Sequence, residues 1–217
     1  MTFTSNSCRL SAALCKSSAV LMFVALLAIM PLCAQTPSLD SVCAGLTAHE
    51  VTVGSFVQLR TAPGLKRPLK SSGTFVICGE GIAWKTAIPF ASLLAISNGK
   101  IIQAGPDGKK NVLEASVTQP LAVLFTGDKD ALEKSFSIAF SSQGQGWKML
   151  LTPKDSSIAS AIKTVTLEGD EGMDKRETFI DSVTIEETGG GKIQYTLSGQ
   201  SHKNALNDDE KANFSAQ

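Results

Sequence analysis

Few side chains in this 217-residue chain are of a kind that does chemistry, and their spacing assembles no known reaction. There are two histidines, His49 and His202. No cysteine or carboxylate stands at metal-ligand spacing from either, so neither reads as part of a zinc site. Asp170, Glu171 and Asp174 cluster near glycines, but an EF-hand loop needs Asp at alternate positions and a closing Glu. They read as a solvated loop. Asp128 and Asp130 flank a helix start, where capping is the commoner role. No serine sits in a strand–turn–helix elbow, and no glycine run resembles a phosphate loop. A hydrolase acting on lipid esters would lack a nucleophile with a partner base. The expectation is a protein that is not an enzyme and uses no cofactor and no metal.

Cys43 and Cys78 carry the remaining chemistry. Either they form a disulfide between the first helix and the first long strand, or they stay as two buried thiols behaving as small hydrophobes. Their setting follows from the N-terminus. Arg9 and Lys16 form a basic region with no acid near it. Ala19 to Met30 is unbroken and apolar, Pro31 interrupts it, and Leu32-Cys33-Ala34 offers a cleavage site after Ala34. Residues 1–34 read as a secretion signal. Two other readings of the segment are an uncleaved membrane anchor and lipid attachment at Cys33. The apolar run is short for a span, and Leu32 is larger than the residue that usually precedes a lipidated cysteine.

Removing 1–34 leaves 18 basic and 20 acidic residues, a net charge of −2. That argues against nucleic acid and against an electrostatic membrane patch. It also leaves Cys43 and Cys78 as an even pair in an oxidising compartment. Residues 35–217 then form one domain, with a polar tail from about 200 that frays apart from a short helix over 208–214.

The elements that organise this domain are strands. Ser38 can cap a helix from Leu39, with Val42 and Leu46 on one apolar stripe. The helical region is expected to end at Gly54, with a strand over 55–60. A loop over 62–70 carries Lys66, Arg67 and Lys70 and reads as solvated. Thr74–Cys78, Ile82–Thr86 and Leu93–Ser97 read as an antiparallel meander. Gly79-Glu80-Gly81 and Asn98-Gly99 supply its turns, and Pro89 stops its second strand. Two more short strands follow, over 100–103 and 111–115. Residues 121–125 and 129–136 read as short helices. After them, Phe136, Ile138 and Phe140 alternate with polar residues, as do Trp147, Met149 and Leu151, then Val165 and Leu167, then Val183 and Ile185, then Ile193, Tyr195 and Leu197.

The fold class is α+β: an incomplete antiparallel β-barrel of about 10–11 strands, closed by an N-terminal helix and a helical insert. A concave apolar sheet covered by helices either packs solid or leaves a cavity. The pattern alone favours the packed core.

Several segments carry a resemblance. GSFVQLR at 54–60, SSGTF at 71–75, W-K-T-x-x-P-F from Trp84 to Phe90, ISNGKIIQ at 96–103 and WKMLLTPKD at 147–155 are similar, in order and spacing, to those of the periplasmic outer-membrane lipoprotein carrier (LolA-like) family. GLKRPLKSSGTF at 64–75 and LFTGDKDALEKSF at 124–136 look closer to the subgroup encoded beside aryl-polyene biosynthesis genes. The resemblance implies a hydrophobic cavity under a helical lid that takes lipoprotein acyl chains or a polyene lipid. It also implies a periplasmic monomer working between an inner-membrane exporter and an outer-membrane acceptor. Phe75, Ile77, Trp84, Leu94, Ile96, Phe125, Phe136, Met149 and Leu151 are the expected cavity wall. Shielding is needed because each exposed methylene costs about 0.8 kcal/mol in water. One departure stands out. The family's lid-closing arginine follows the Gly-x-Phe strand, and the matching stretch here, Cys78-Gly79-Glu80, has none. Arg60 and Arg67 are the candidates to replace it. The rival reading is an envelope structural or interaction module with a solid core.

Overall fold

A computed structural model describes residues 36–97, 100–114, 123–125, 127–172, 174 and 177–215. The expected leader, the Asn98-Gly99 turn and residues 115–122 lie outside the described residues. Helix α1 (Leu39–Leu46) is capped by Ser38, whose hydroxyl accepts from Ser41 N at 3.1 Å. It is shorter than expected, because β-branched Val51, Thr52 and Val53 already belong to strand β1 (Val51–Thr61). Gly54 does not break an element. It lies inside β1, where a Cβ would stand 2.7 Å from the Phe75 ring, so it marks a close approach.

The remaining strands are β2 (Leu69–Cys78), β3 (Gly81–Ile88), β4 (Ser92–Ser97), β5 (Lys100–Ala104), β6 (Lys110–Glu114), β7 (Phe136–Gln143), β8 (Gly146–Pro153), β9 (Ile162–Glu171), β10 (Thr178–Glu187) and β11 (Lys192–Lys203). They make one 11-stranded sheet in the order β6-β5-β4-β3-β2-β1-β11-β10-β9-β8-β7. Two meanders are therefore joined where the first strand pairs antiparallel with the last, from Val51↔Lys203 to Thr61↔Lys192. The sheet stays open, with β6 and β7 as its two edges. Those two edge strands are consecutive in the chain. Residues 123–125, between them in sequence, are helical. Helix α2 (Lys129–Ser135) follows and packs on β7, with Asp128 accepting from Ala131 N at 3.0 Å as its cap.

A short helix α3 (Ser156–Ala159), capped by Asp155, links β8 to β9. β11 runs through the stretch expected to fray, because β1 pairs with it as far as Lys203. Helix α4 (Asp208–Phe214) then folds over the outer face. Phe214 packs against Ala83, Ala95 and Ile102 on one side and against Val76 and Cys78 on the other. Lys110 Nζ donates to Ala212 O at 2.7 Å and to Ser215 O at 2.9 Å, closing the helix end.

Candidate functional site

The alternation along each strand sends one set of side chains inward. Phe75, Trp84, Ile96, Phe125, Phe136, Met149 and Leu151 are buried in a single cluster, and Ile77 and Leu94 pack against it. All nine expected wall residues thus come together. Trp84 stands at the centre of a ring cluster. Phe56 meets it edge-on at 5.1 Å, Phe125 edge-on at 5.5 Å, Phe75 at 5.5 Å and Tyr195 in a stack at 4.9 Å. Such contacts add about 0.5–1.5 kcal/mol each beyond burial. Burial also pushes the Tyr195 phenol pKa up. Phe56 and Tyr195 were not among the expected wall residues. Their signal was the same alternation that placed the others.

The cover has two parts. α1 inserts Val42 and Cys43, and the link between β6 and β7 inserts Leu124, Phe125 and Leu132. Burial pushes the Cys43 thiol up to about 11, against a smaller opposing pull from Lys129. Lys129 Nζ reaches Asp40 Oδ1 at 2.6 Å and so ties α2 to α1. That pair is exposed and contributes little. Gly127 couples the parts more tightly. Its φ is +69°, and a Cβ there would stand 2.7 Å from Leu46 Cβ and 2.9 Å from Cys43 O.

Neither expected arginine closes this lid. Arg60 pairs with Glu187 at 3.1 Å, at the end of β1 remote from the α1–β1 turn, and Arg67 sits exposed in the β1–β2 loop. Of the two readings of the cysteines, the structure has the pair of buried thiols. Cys43 and Cys78 are both free and buried, Cys43 in the inner cluster and Cys78 under Phe214 on the outer face. The sheet lies between them, because Cys78 shares the parity of Val76 and not that of Phe75.

The two histidines, far apart in the chain, meet. The register puts Thr52 opposite His202, and Thr52 Oγ1 lies 2.9 Å from His202 Nδ1. His49 stacks on His202 at 3.7 Å, and Phe179 stacks on His202 at 4.4 Å. Burial, and then neighbouring His49, lower the pKa of His202. Beside this stack lies a cavity of about 10 Å³ lined by Leu46, Thr52, Ile77, Phe125, Thr178 and Phe179, among others. It has room for no more than about one water, whereas ligand sites span about 300–1,000 Å³. Among the described residues this cavity is too small to hold an acyl chain. The acidic stretch also departs from the solvated loop. Gly169 to Glu171 belong to β9, and Glu171 points inward and is buried.

An open antiparallel sheet, apolar on its inner face and covered by small helical pieces, defines the fold class. The family model described as outer membrane lipoprotein carrier protein LolA matches residues 48–212, and this chain belongs to that family. No curated protein matches it. Three solved structures are similar to it. A LolA superfamily protein from Nitrosomonas europaea is 11% identical over 79% of this chain and 94% of its own, with a TM-score of 0.44. A putative outer membrane lipoprotein-sorting protein domain from Vibrio parahaemolyticus is 9% identical over 82% and 98%, with a TM-score of 0.45. A DUF1329 family protein from Desulfovibrio piger is 10% identical over 78% and 93%, with a TM-score of 0.47. Among the described residues no helix is long and apolar enough to cross a membrane.

Proposed function

We propose that this protein is a non-enzymatic periplasmic carrier that shields lipoprotein acyl chains or a related lipid, a polyene lipid in the subgroup reading, on the way to the outer membrane. The leader over 1–34 delivers it and is removed, and residues 35–217 act as one carrier domain. An inner-membrane exporter loads it and an outer-membrane acceptor unloads it. The observation that carries the reading is the pairing of a continuous apolar inner face with a cover that, among the described residues, consists of α1, residues 123–125 and α2. Most of that face is joined by strand hydrogen bonds, so the cover can leave without dissolving the sheet. A chain of about 16 carbons that then lies on the inner face is withdrawn from water at about 0.8 kcal/mol per methylene. The nine wall residues are the proposed contact surface.

The small enclosed cavity supports a second reading, a solid-cored envelope module with no ligand. Equilibrium binding of a fluorescent fatty acid separates the two. The carrier reading expects saturable binding by the wild type, lost when Leu94 and Ile96 are both replaced by Asp in a variant whose circular dichroism remains native. Absence of binding by the wild type would favour the solid module. Unchanged binding by the folded double variant would remove the proposed wall.

A further inference from the structure

Shielding an acyl chain needs no polar group inside the chamber, yet two stand there without partners. Trp147 is 3% exposed, and its indole Nε1–H finds no acceptor. Glu171 is 4% exposed, and its Oε1 receives no hydrogen bond. Buried polar groups are normally satisfied, and leaving both ends open is costly.

The two side chains are neighbours by register. Trp147 pairs directly with Gly169, and Glu171 lies two residues further along β9 on the same inner face. Diagonal neighbours of this kind are roughly 7–8 Å apart, within reach of an aromatic and a long side chain. The glycine between them is required. A Cβ on Gly169 would stand 2.0 Å from Phe179 O and 2.8 Å from Trp147 Cζ2, so the indole lies where a side chain would otherwise be. Glu171 is held in place at its backbone, its N donating to Gln145 O at 3.0 Å. Its cross-strand partner is Thr178, which is 1% exposed and lines the small cavity beneath Leu46 and Phe125. The open acceptor therefore lies across the strand pair from a residue that lines the small cavity, with the open donor its diagonal neighbour on the same face.

A single hydroxyl satisfies both, because its oxygen accepts while its hydrogen is donated. An ether can serve only the indole, and a ligand carboxylate would face the Glu171 carboxyl with no hydrogen to offer. We propose that Trp147 and Glu171 form an anchor for a hydroxyl head on an otherwise apolar guest. The proposal rests on the carrier reading and specifies which lipids that carrier prefers.

The test is displacement of chamber-bound N-phenylnaphthylamine from the carrier by 1-hexadecanol and by 1-methoxyhexadecane, which share a tail and differ by one O–H. The wild type is expected to bind the alcohol about tenfold more tightly than the ether, the effect of one buried hydrogen bond to a charged or polar partner. Glu171→Met is expected to reduce that ratio below about threefold while leaving ether affinity unchanged, and Trp147→Phe to weaken alcohol and ether alike. Equal binding of the two ligands by the wild type would overturn the anchor, needs no variant, and leaves the carrier reading standing. A ratio that persists in Glu171→Met, or an ether affinity unmoved by Trp147→Phe, would also overturn it. So would a Glu171→Met variant that shifts the melting temperature without touching the ratio, which would mark a site for structural water. If neither the probe nor either ligand binds, the carrier reading fails and the anchor fails with it.

Discussion

Replacing Gly127 with alanine should unlatch the lid while leaving the sheet intact. Gly127 has φ +69°, a region that costs a residue with a side chain about 1–2 kcal/mol. The added methyl would meet Leu46 Cβ at 2.7 Å, Cys43 O at 2.9 Å and Thr47 Cγ2 at 3.3 Å. These atoms cannot move aside cheaply. Cys43 O accepts from Thr47 N at 3.1 Å and from Thr47 Oγ1 at 3.0 Å, and Leu46 Cβ is fixed to the helix. Overpacking of this kind adds about 1–3 kcal/mol. Together the two effects disfavour the closed lid by about 2–5 kcal/mol. At about 1.4 kcal/mol per factor of ten, opening becomes about 30-fold more frequent at the least. Hydrogen exchange read by mass spectrometry should show faster exchange in peptides covering 39–47 and 128–135, with β8 and β9 peptides unchanged. Unaltered exchange in 39–47 would refute the coupling through Gly127. Equal loss of protection across the sheet would show that lid and sheet unfold together.

Other outcomes follow from the same geometry. Phe125→Ala removes the edge-on contact with Trp84 and a buried ring, a loss of up to about 3–5 kcal/mol when the site cannot collapse; stopped-flow uptake of a fluorescent fatty acid should accelerate at least tenfold, and unchanged uptake would contradict the lid role. Non-reducing peptide mapping should find Cys43 and Cys78 as separate thiols. Iodoacetamide should modify Cys43 slowly, because burial raises its pKa to about 11, and faster in Gly127→Ala, while the Cys78 rate stays the same. His202 has a native pKa below its unfolded value, so the unfolded chain takes up the proton first as pH falls. Its contribution to stability is complete above about pH 6.5 and is lost as pH drops through the native value. Urea melts at pH 7.5 and 5.5 should show a larger loss for the wild type than for His202→Phe, which keeps the ring stack on Phe179; equal losses would remove His202 as the source.

Much of this fold is legible because its core is written in alternation. Trp147, Met149 and Leu151 face inward as their period of two demands, and the nine wall residues fall in one cluster for the same reason. What stayed hidden depends on contacts across long sequence separations. Gly54 reads as a breaker until the Phe75 ring is seen lying against it. The polar stretch from Gln200 reads as a frayed tail until β1 supplies partners for it as far as Lys203. The cysteines look like a pair until strand parity puts them on opposite sides of the sheet. The meeting of His49, Phe179 and His202 rests on a register between the first and last strands that no local pattern encodes. Glu171 reads as part of an acidic loop because its neighbours are acidic, whereas its place in β9 turns it inward.

The central claim is that the interior beneath the lid exists to hold an apolar guest. Its most direct test is organic extraction and mass spectrometry of the protein purified from its native periplasm without detergent. The account predicts an acyl or polyene lipid at close to one per protein, lost on replacing Leu94 and Ile96 with Asp. A protein that is free of lipid, and that takes up no fluorescent fatty acid when offered one, would contradict it.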